Sequence, residues 1–161
     1  AMVGDVGVVR RDPMAMKPFC GYNFADYWTH WLSFPGRSEH LPKIFNVNWF
    51  RQNDEGEFLW PGFGENIRVL EWIIERCEHR AGAEETPIGF LPHVEDLNID
   101  GLDIERDTLE ELLTVHTDQW REEMTSVLEY LESYGERLPE ELRRQQKRIA
   151  DALDAQLAKA S

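Results

Sequence analysis

Fourteen of the eighteen aromatic side chains in this chain fall between Phe19 and Trp72. Rings at that density must bury against one another or stack on a flat ligand, so this stretch sets the folding problem. Charge runs the other way. Residues 1–52 carry six basic residues against four acidic ones, whereas residues 53–161 carry 11 against 27, a net of −16. A near-neutral aromatic front is therefore joined to a strongly acidic rear, which reads as a solvated helical surface rather than a binding site.

The 161 residues suit one domain or a piece of a larger one, and 42% hydrophobic content is enough to bury a core. No apolar run approaches the roughly 20 residues that span a bilayer, and no secretory signal opens the sequence. A net charge of −14 argues against a partner with a phosphate backbone, so no nucleic-acid or membrane partner is expected. The two cysteines, Cys20 and Cys77, lie far apart and suggest neither a disulfide framework nor a metal knuckle. Both read as packing residues, in keeping with a reducing, cytoplasmic setting.

Periodicity gives a mainly helical outline. Val6-Gly7-Val8-Val9 suggests a short strand after a small, mobile start, stopped by Asp12-Pro13. Phe24, Tyr27, Trp28, Trp31, Leu32 and Phe34 have helical spacing, closed by Pro35-Gly36. Lys43 to Phe50 alternates in the manner of a strand, Asn53-Asp54-Glu55-Gly56 turns the chain, and Phe58-Leu59-Trp60 returns as a hairpin partner. A helix is predicted from Asn66 to about His79 with Ile67, Leu70, Ile73, Ile74 and Cys77 on its apolar face. Residues 81–106 read as loop with a short strand near Ile88–Leu91. From Asp107 a helical period runs through Leu109, Leu113, His116, Trp120, Met124, Val127, Leu131 and Tyr134, opened by a Thr108/Glu111 capping box. Gly135 and Pro139 interrupt it, and Glu140–Lys159 resumes with Leu142, Ile149, Leu153 and Leu157. The rear is then an antiparallel helix pair with apolar stripes inward.

Chemistry-bearing motifs are sparse. The five histidines have no Cys or His partner at metal-ligand spacing, and His116 reads as a satisfied core histidine. No glycine-rich loop ending in Gly-Lys-Ser/Thr occurs, and Gly62-Phe63-Gly64 lacks the third glycine of a dinucleotide fingerprint. No catalytic residue and no metal ligand is assigned. What remains is Trp49-Phe50, Phe58 and Phe63, followed by Gly64-Glu65-Asn66. Rings on a hairpin and an adjacent loop can sandwich a flat base, and each such stack is worth about 1–3 kcal/mol. Stacking does not distinguish purines, so a polar edge reader is needed, and Asn66 carries both donor and acceptor. Gly62 and Gly64 would let the backbone approach a ligand. The competing reading is that these rings are ordinary core.

The same residues carry a family resemblance. Lys43-Ile44-Phe45-Asn46-Val47-Asn48-Trp49-Phe50-Arg51 followed by Phe58-Leu59-Trp60-Pro61-Gly62-Phe63-Gly64-Glu65-Asn66 closely resembles the GTP-dependent phosphoenolpyruvate carboxykinases. Asp12-Pro13-Met14-Ala15-Met16, Pro18-Phe19, Gly21-Tyr22-Asn23-Phe24, Arg68-Val69-Leu70-Glu71-Trp72 and Thr86-Pro87-Ile88-Gly89 fit the same family. The match is dense to residue 91 and looser through the acidic helices, and Arg10-Arg11-Asp12-Pro13 suggests an actinobacterial source. Asn46, Cys20 and Ile67 depart from residues common in the family, and none is a proposed base contact.

The family converts oxaloacetate and GTP into phosphoenolpyruvate, GDP and carbon dioxide in gluconeogenesis, with manganese or magnesium. The resemblance implies that Phe50 and Phe63 stack on the guanine and that Phe58 closes the wall. It makes Asn66 the reader of the purine edge, helped by backbone at Gly64 and Glu65, with Trp49 supporting from beneath. It also implies that the phosphate loop, metal ligands and oxaloacetate-binding arginines lie on the rest of the carboxykinase chain. The expected fold is thus an α+β fragment of an α/β enzyme lobe, mainly helical with a few short strands and a C-terminal antiparallel helix pair. Residues 1–11 would end a lid and strand, 12–80 form the guanine region, 81–106 connect, and 107–161 form the acidic pair. Such a fragment would be inactive alone and prone to self-association. The alternative is a stand-alone module whose aromatic groove binds a partner.

Overall fold

The computed structural model describes residues 11–160. The expectations for residues 1–10, the Val6–Val9 strand and the end of a lid, lie outside them. The fold is mainly helical with one small antiparallel sheet. The described residues divide into two compact units, 11–41 with 121–158 and 42–120 with 159–160.

In the first unit, α1 (Phe24–Leu32) begins where the Asn23 side chain accepts a hydrogen bond from the Ala25 amide at 2.9 Å. That bond satisfies one of the helix's unpaired N–H groups. α1 ends at Leu32, and Phe34–Gly36 follows as a 3₁₀ turn, because Pro35 cannot continue the helical ladder. α4 (Thr117–Glu132) and α5 (Glu140–Ala160) are separated by Gly135–Arg137 and Pro139. From Arg121 onward they run antiparallel, as expected: Arg143 bonds Glu132 at 2.8 Å, Gln146 donates to the Met124 carbonyl at 2.9 Å, and Arg121 pairs with Asp154. Phe24, Ala25, Trp28, Leu131 and Leu138 form the core, with Tyr130 and Tyr134 packed edge-on against Trp28. Aromatics from both ends of the sequence therefore share one cluster. Arg11 adds a bidentate pair to Glu123 and a 2.8 Å bond to Ser126.

The second unit contains α2 (Asn66–Cys77), the hairpin β1 (Glu84–Thr86) and β2 (Gly89–Leu91), and α3 (Arg106–Leu113). The register Glu84↔Leu91, Glu85↔Phe90, Thr86↔Gly89 leaves a two-residue connection at Pro87-Ile88. Trp60, Trp72, Val94, Leu97 and Leu109 form its core, and Phe45, Trp49, Val69 and Ile73 pack against it.

Three sequence expectations are corrected here. Lys43–Asn48 forms no strand, and a single bridge, Gln52↔Phe58, joins the chain that follows it to the returning segment. Alternation permits an extended chain, but a strand needs a partner edge. α2 is rotated relative to its expected face. Trp72 is buried, whereas Ile67, Leu70, Ile74 and Cys77 are exposed. Its two apolar stripes lie side by side, and the indole takes the inward one, donating to the Gly82 carbonyl at 3.3 Å.

The third correction is to the helix predicted from Asp107, which breaks at Thr114–His116. In a continuous helix the Glu111 and Leu112 carbonyls would accept from residues 115 and 116. Here the Arg51 guanidinium takes both, at 2.8 and 2.9 Å. Glu105 precedes the helix without a side-chain cap, so Thr108 and Glu111 form no capping box. His116 is half-exposed, 2.7 Å from Glu111, and is not a core residue.

Leu109 is 1% exposed and sits at the centre of the second core. Leu109→Ala is expected to lower the stability of that unit by about 2–5 kcal/mol, as read by urea unfolding. Loss of less than about 1 kcal/mol would mean the core closes over the gap.

Candidate functional site

The second unit leaves four phenylalanine rings exposed: Phe90, which has the Arg76 guanidinium 5.8 Å from its centroid, and the three of the candidate site. Phe50, Phe58 and Phe63 are 73%, 59% and 92% exposed. Phe50 and Phe58 meet edge to face, with centroids 6.1 Å apart, across the bridge that joins their segments. Leu59 donates its amide to the Arg51 carbonyl at 3.0 Å, closing the loop around the Asn53–Gly56 turn. Within that turn the Asn53 side chain accepts from the amides of Glu55 and Glu57. Local hydrogen bonds thus determine where Phe50 and Phe58 stand.

Trp49 behaves differently from its neighbour. It is half-buried, packs against the core and lies 6.3 Å from the Trp60 ring. Trp60 is 7% exposed, and its indole N–H donates to Asn66 Oδ1 at 2.8 Å.

Phe63 and Asn66 are set by the turn between them. Gly62 has φ +123°, a region that side-chain-bearing residues rarely adopt, and Phe63–Glu65 follows as a 3₁₀ turn running into α2. Gly64 has no such requirement and faces open space, so only Gly62 carries the conformational role expected of both. Asn66 is the first residue of α2, as expected, and its amide bonds the Phe63 carbonyl. Glu65 is held by Arg68 at 2.6 Å, and Arg68 also donates to the Asn98 carbonyl at 2.7 Å.

Arg51 and Arg68 escaped assignment from sequence, as did the hydrogen bond that Trp60, expected to flank the pocket, makes to Asn66. The signal for Trp60 was present in its N–H, which must find an acceptor once the ring is buried. Arg51 had no local signal, since its partners lie 60 and 61 positions away.

Among the described residues no group of three or more His, Cys, Asp or Glu is placed to hold a metal ion. The manganese or magnesium that the resemblance implies has no donor set here, so no step is assigned to it. No helix among the described residues is long and apolar enough to cross a membrane.

Comparison with known proteins identifies the class first. The family described as the phosphoenolpyruvate carboxykinase C-terminal P-loop domain matches residues 1–152. Phosphoenolpyruvate carboxykinase [GTP] of Chlamydia muridarum is 49% identical over 154 residues, covering 95% of this chain and 26% of that protein. The enzyme of the same description from Renibacterium salmoninarum is 55% identical over 144 residues, covering 88% of this chain and 24% of its own. That of Arthrobacter sp. is 48% identical over 160 residues, covering 98% and 26%. The chain belongs to the GTP-dependent phosphoenolpyruvate carboxykinase family and spans about a quarter of the length of the curated relatives it matches.

Glu111 links the site to its support. The hydrogen bond from His116, together with the charges of His116 and Arg51, holds its carboxyl below the usual range. A carboxylate depressed in the folded state contributes stability that is present above its unfolded pKa and lost as pH falls through the folded one. Glu111→Gln is therefore expected to lower the melting temperature at neutral pH, with the gap to wild type closing below the ordinary carboxylate range. A gap independent of pH would remove this role for the carboxylate.

Proposed function

We propose that this chain supplies the guanine-binding part of a GTP-dependent phosphoenolpyruvate carboxykinase. The whole enzyme converts oxaloacetate and GTP into phosphoenolpyruvate, GDP and carbon dioxide. The observation that carries the reading is the exposure of Phe50, Phe58 and Phe63, the last followed three positions on by Asn66 at the start of α2. Exposing three phenylalanines costs burial worth about 1.5–3 kcal/mol each, which a core would have captured and a bound base can recover. Phe50 and Phe63 stack on the guanine, Phe58 closes the wall, Asn66 reads the purine edge, and backbone at Gly64 and Glu65 assists. Trp49 supports from beneath.

The rest of the carboxykinase chain supplies the phosphate loop, the metal ligands and the oxaloacetate contacts. The cell compartment is the cytoplasm, where the free Cys20 and Cys77 stay reduced. In the full-length enzyme, Phe63→Ala is expected to raise the KM for GTP about 5- to 150-fold, corresponding to about 1–3 kcal/mol of stacking. Asn66→Ala is expected to erode the preference for GTP over ATP. An unchanged preference would dismiss Asn66 as the edge reader.

The same reading covers Ile67, Leu70 and Ile74 of α2, all exposed, with the rest of the carboxykinase chain. Alone, the segment is expected to show no turnover with GTP, manganese and oxaloacetate, and to self-associate through these residues. Measurable turnover, or a strict monomer by analytical ultracentrifugation, would contradict the respective half of that statement.

A further inference from the structure

Asn66 can meet a purine in either of two orientations. Its side chain ends in a carbonyl oxygen that only accepts and an NH₂ that only donates. Rotating the amide by half a turn exchanges them. Guanine carries an acceptor, O6, where adenine carries a donor, the 6-amino group. An asparagine free to flip would satisfy both bases about equally and select neither. The residue becomes selective only if something decides which end faces the ligand.

We infer that Trp60 decides it, as a positioning residue for base specificity. An indole N–H can only donate, so the Asn66 atom 2.8 Å from it must be the oxygen. The assignment of oxygen and nitrogen is thus forced by chemistry rather than by fit. Trp60 cannot turn away, because its ring is 7% exposed in the core with Trp72, Val94, Leu97 and Leu109. Flipping the amide would put NH₂ against N–H and leave a buried donor without an acceptor, at the cost of an unsatisfied polar group. The other end of the amide is fixed in consequence. No partner among the described residues takes Asn66 Nδ2, so its hydrogens are available to a ligand. They match a 6-oxo purine and oppose a 6-amino purine.

This inference rests on the reading of Asn66 as the edge reader. It adds that the discrimination is stored in the core, one residue behind the contact. Two features of the chain make the relay short and stiff. Pro61 and the positive φ of Gly62 turn the backbone immediately after Trp60. α2 then starts at Asn66, so both ends of the bond sit on fixed backbone.

The test uses the full-length carboxykinase chain and calorimetric titration with GDP, IDP and ADP. IDP keeps the 6-oxo group and lacks the 2-amino group of GDP, so it isolates the contact at C6. Trp60→Phe removes the N–H and keeps an aromatic, though smaller, ring in the core, so a general loss of affinity is expected for all three nucleotides and only the ratios report on the N–H. It is expected to lower the GDP-to-ADP and IDP-to-ADP affinity ratios alike, each about tenfold. A merely structural role for Trp60 would weaken all three nucleotides equally and leave the ratios intact, which would overturn the proposal.

Asn66→Asp provides a second route should Trp60→Phe fold poorly. A carboxylate still accepts from Trp60 but turns an acceptor toward C6, so the preference is expected to move toward ADP by about tenfold or more. Retained GDP preference in Asn66→Asp would overturn the reading of Asn66 as the edge reader and, with it, the role of Trp60. Should the wild-type protein bind GDP no better than ADP, the guanine reading itself falls. A wild-type preference that survives Trp60→Phe leaves that reading standing and removes only the role of Trp60.

Discussion

Two buried indoles organise the second unit, because each brings into the core one polar atom that cannot be left unpaired. A tryptophan ring removes a large apolar area from water, but its N–H must then find an acceptor inside the protein. Trp72 finds the Gly82 carbonyl, which ties α2 to the chain leading into the β1–β2 hairpin. Trp60 finds Asn66, which ties the core to the first turn of α2. The apolar gain holds the rings in place, and the polar requirement orients what surrounds them. Exposed Phe50, Phe58 and Phe63 are thereby carried on backbone that the core has already immobilised.

Arginine does similar work in a chain rich in carboxylates. With 31 acidic residues against 17 basic ones, acids meet the arginines readily. Arg143 spans Glu132 and Glu140, Arg106 spans Glu95 and Glu110, and Arg51 joins Glu111 while also capping two carbonyls. Exposed pairs of this kind contribute little individually. Arg51 differs in that its guanidinium ends a helix and anchors the residue following Phe50. One cation thus both breaks α3 from α4 and steadies the edge of the candidate site.

The family assignment and the exposed surfaces form a consistent picture. About a quarter of a carboxykinase chain, taken alone, presents apolar residues that a complete lobe would have reason to cover. The rotation of α2 is the clearest case, with Ile67, Leu70 and Ile74 outward while Trp72 points in. On the proposed reading, the outward stripe belongs to the rest of the carboxykinase chain and the exposed phenylalanines belong to the nucleotide.

Much of the local structure could be read directly from residue order. Asn23 before an aromatic helix, Pro61-Gly62 before a turn, Gly135 and Pro139 between two acidic helices, and the 53–56 turn are all short-range effects of backbone and capping chemistry. The carboxykinase resemblance was likewise written in contiguous residues. Other features were settled by residues distant in sequence. The 43–50 segment alternates like a strand but finds no ladder partner among the described residues. The helix from Asp107 breaks because Arg51, 60 positions earlier, takes its carbonyls. α2 had two adjacent apolar stripes, and only packing could choose between them. The orientation of the Asn66 amide depends on a ring held by Leu109 and Val94, far along the chain. Backbone propensity acts over a few residues, whereas burial and hydrogen-bond satisfaction are settled by whichever groups the folded chain brings together.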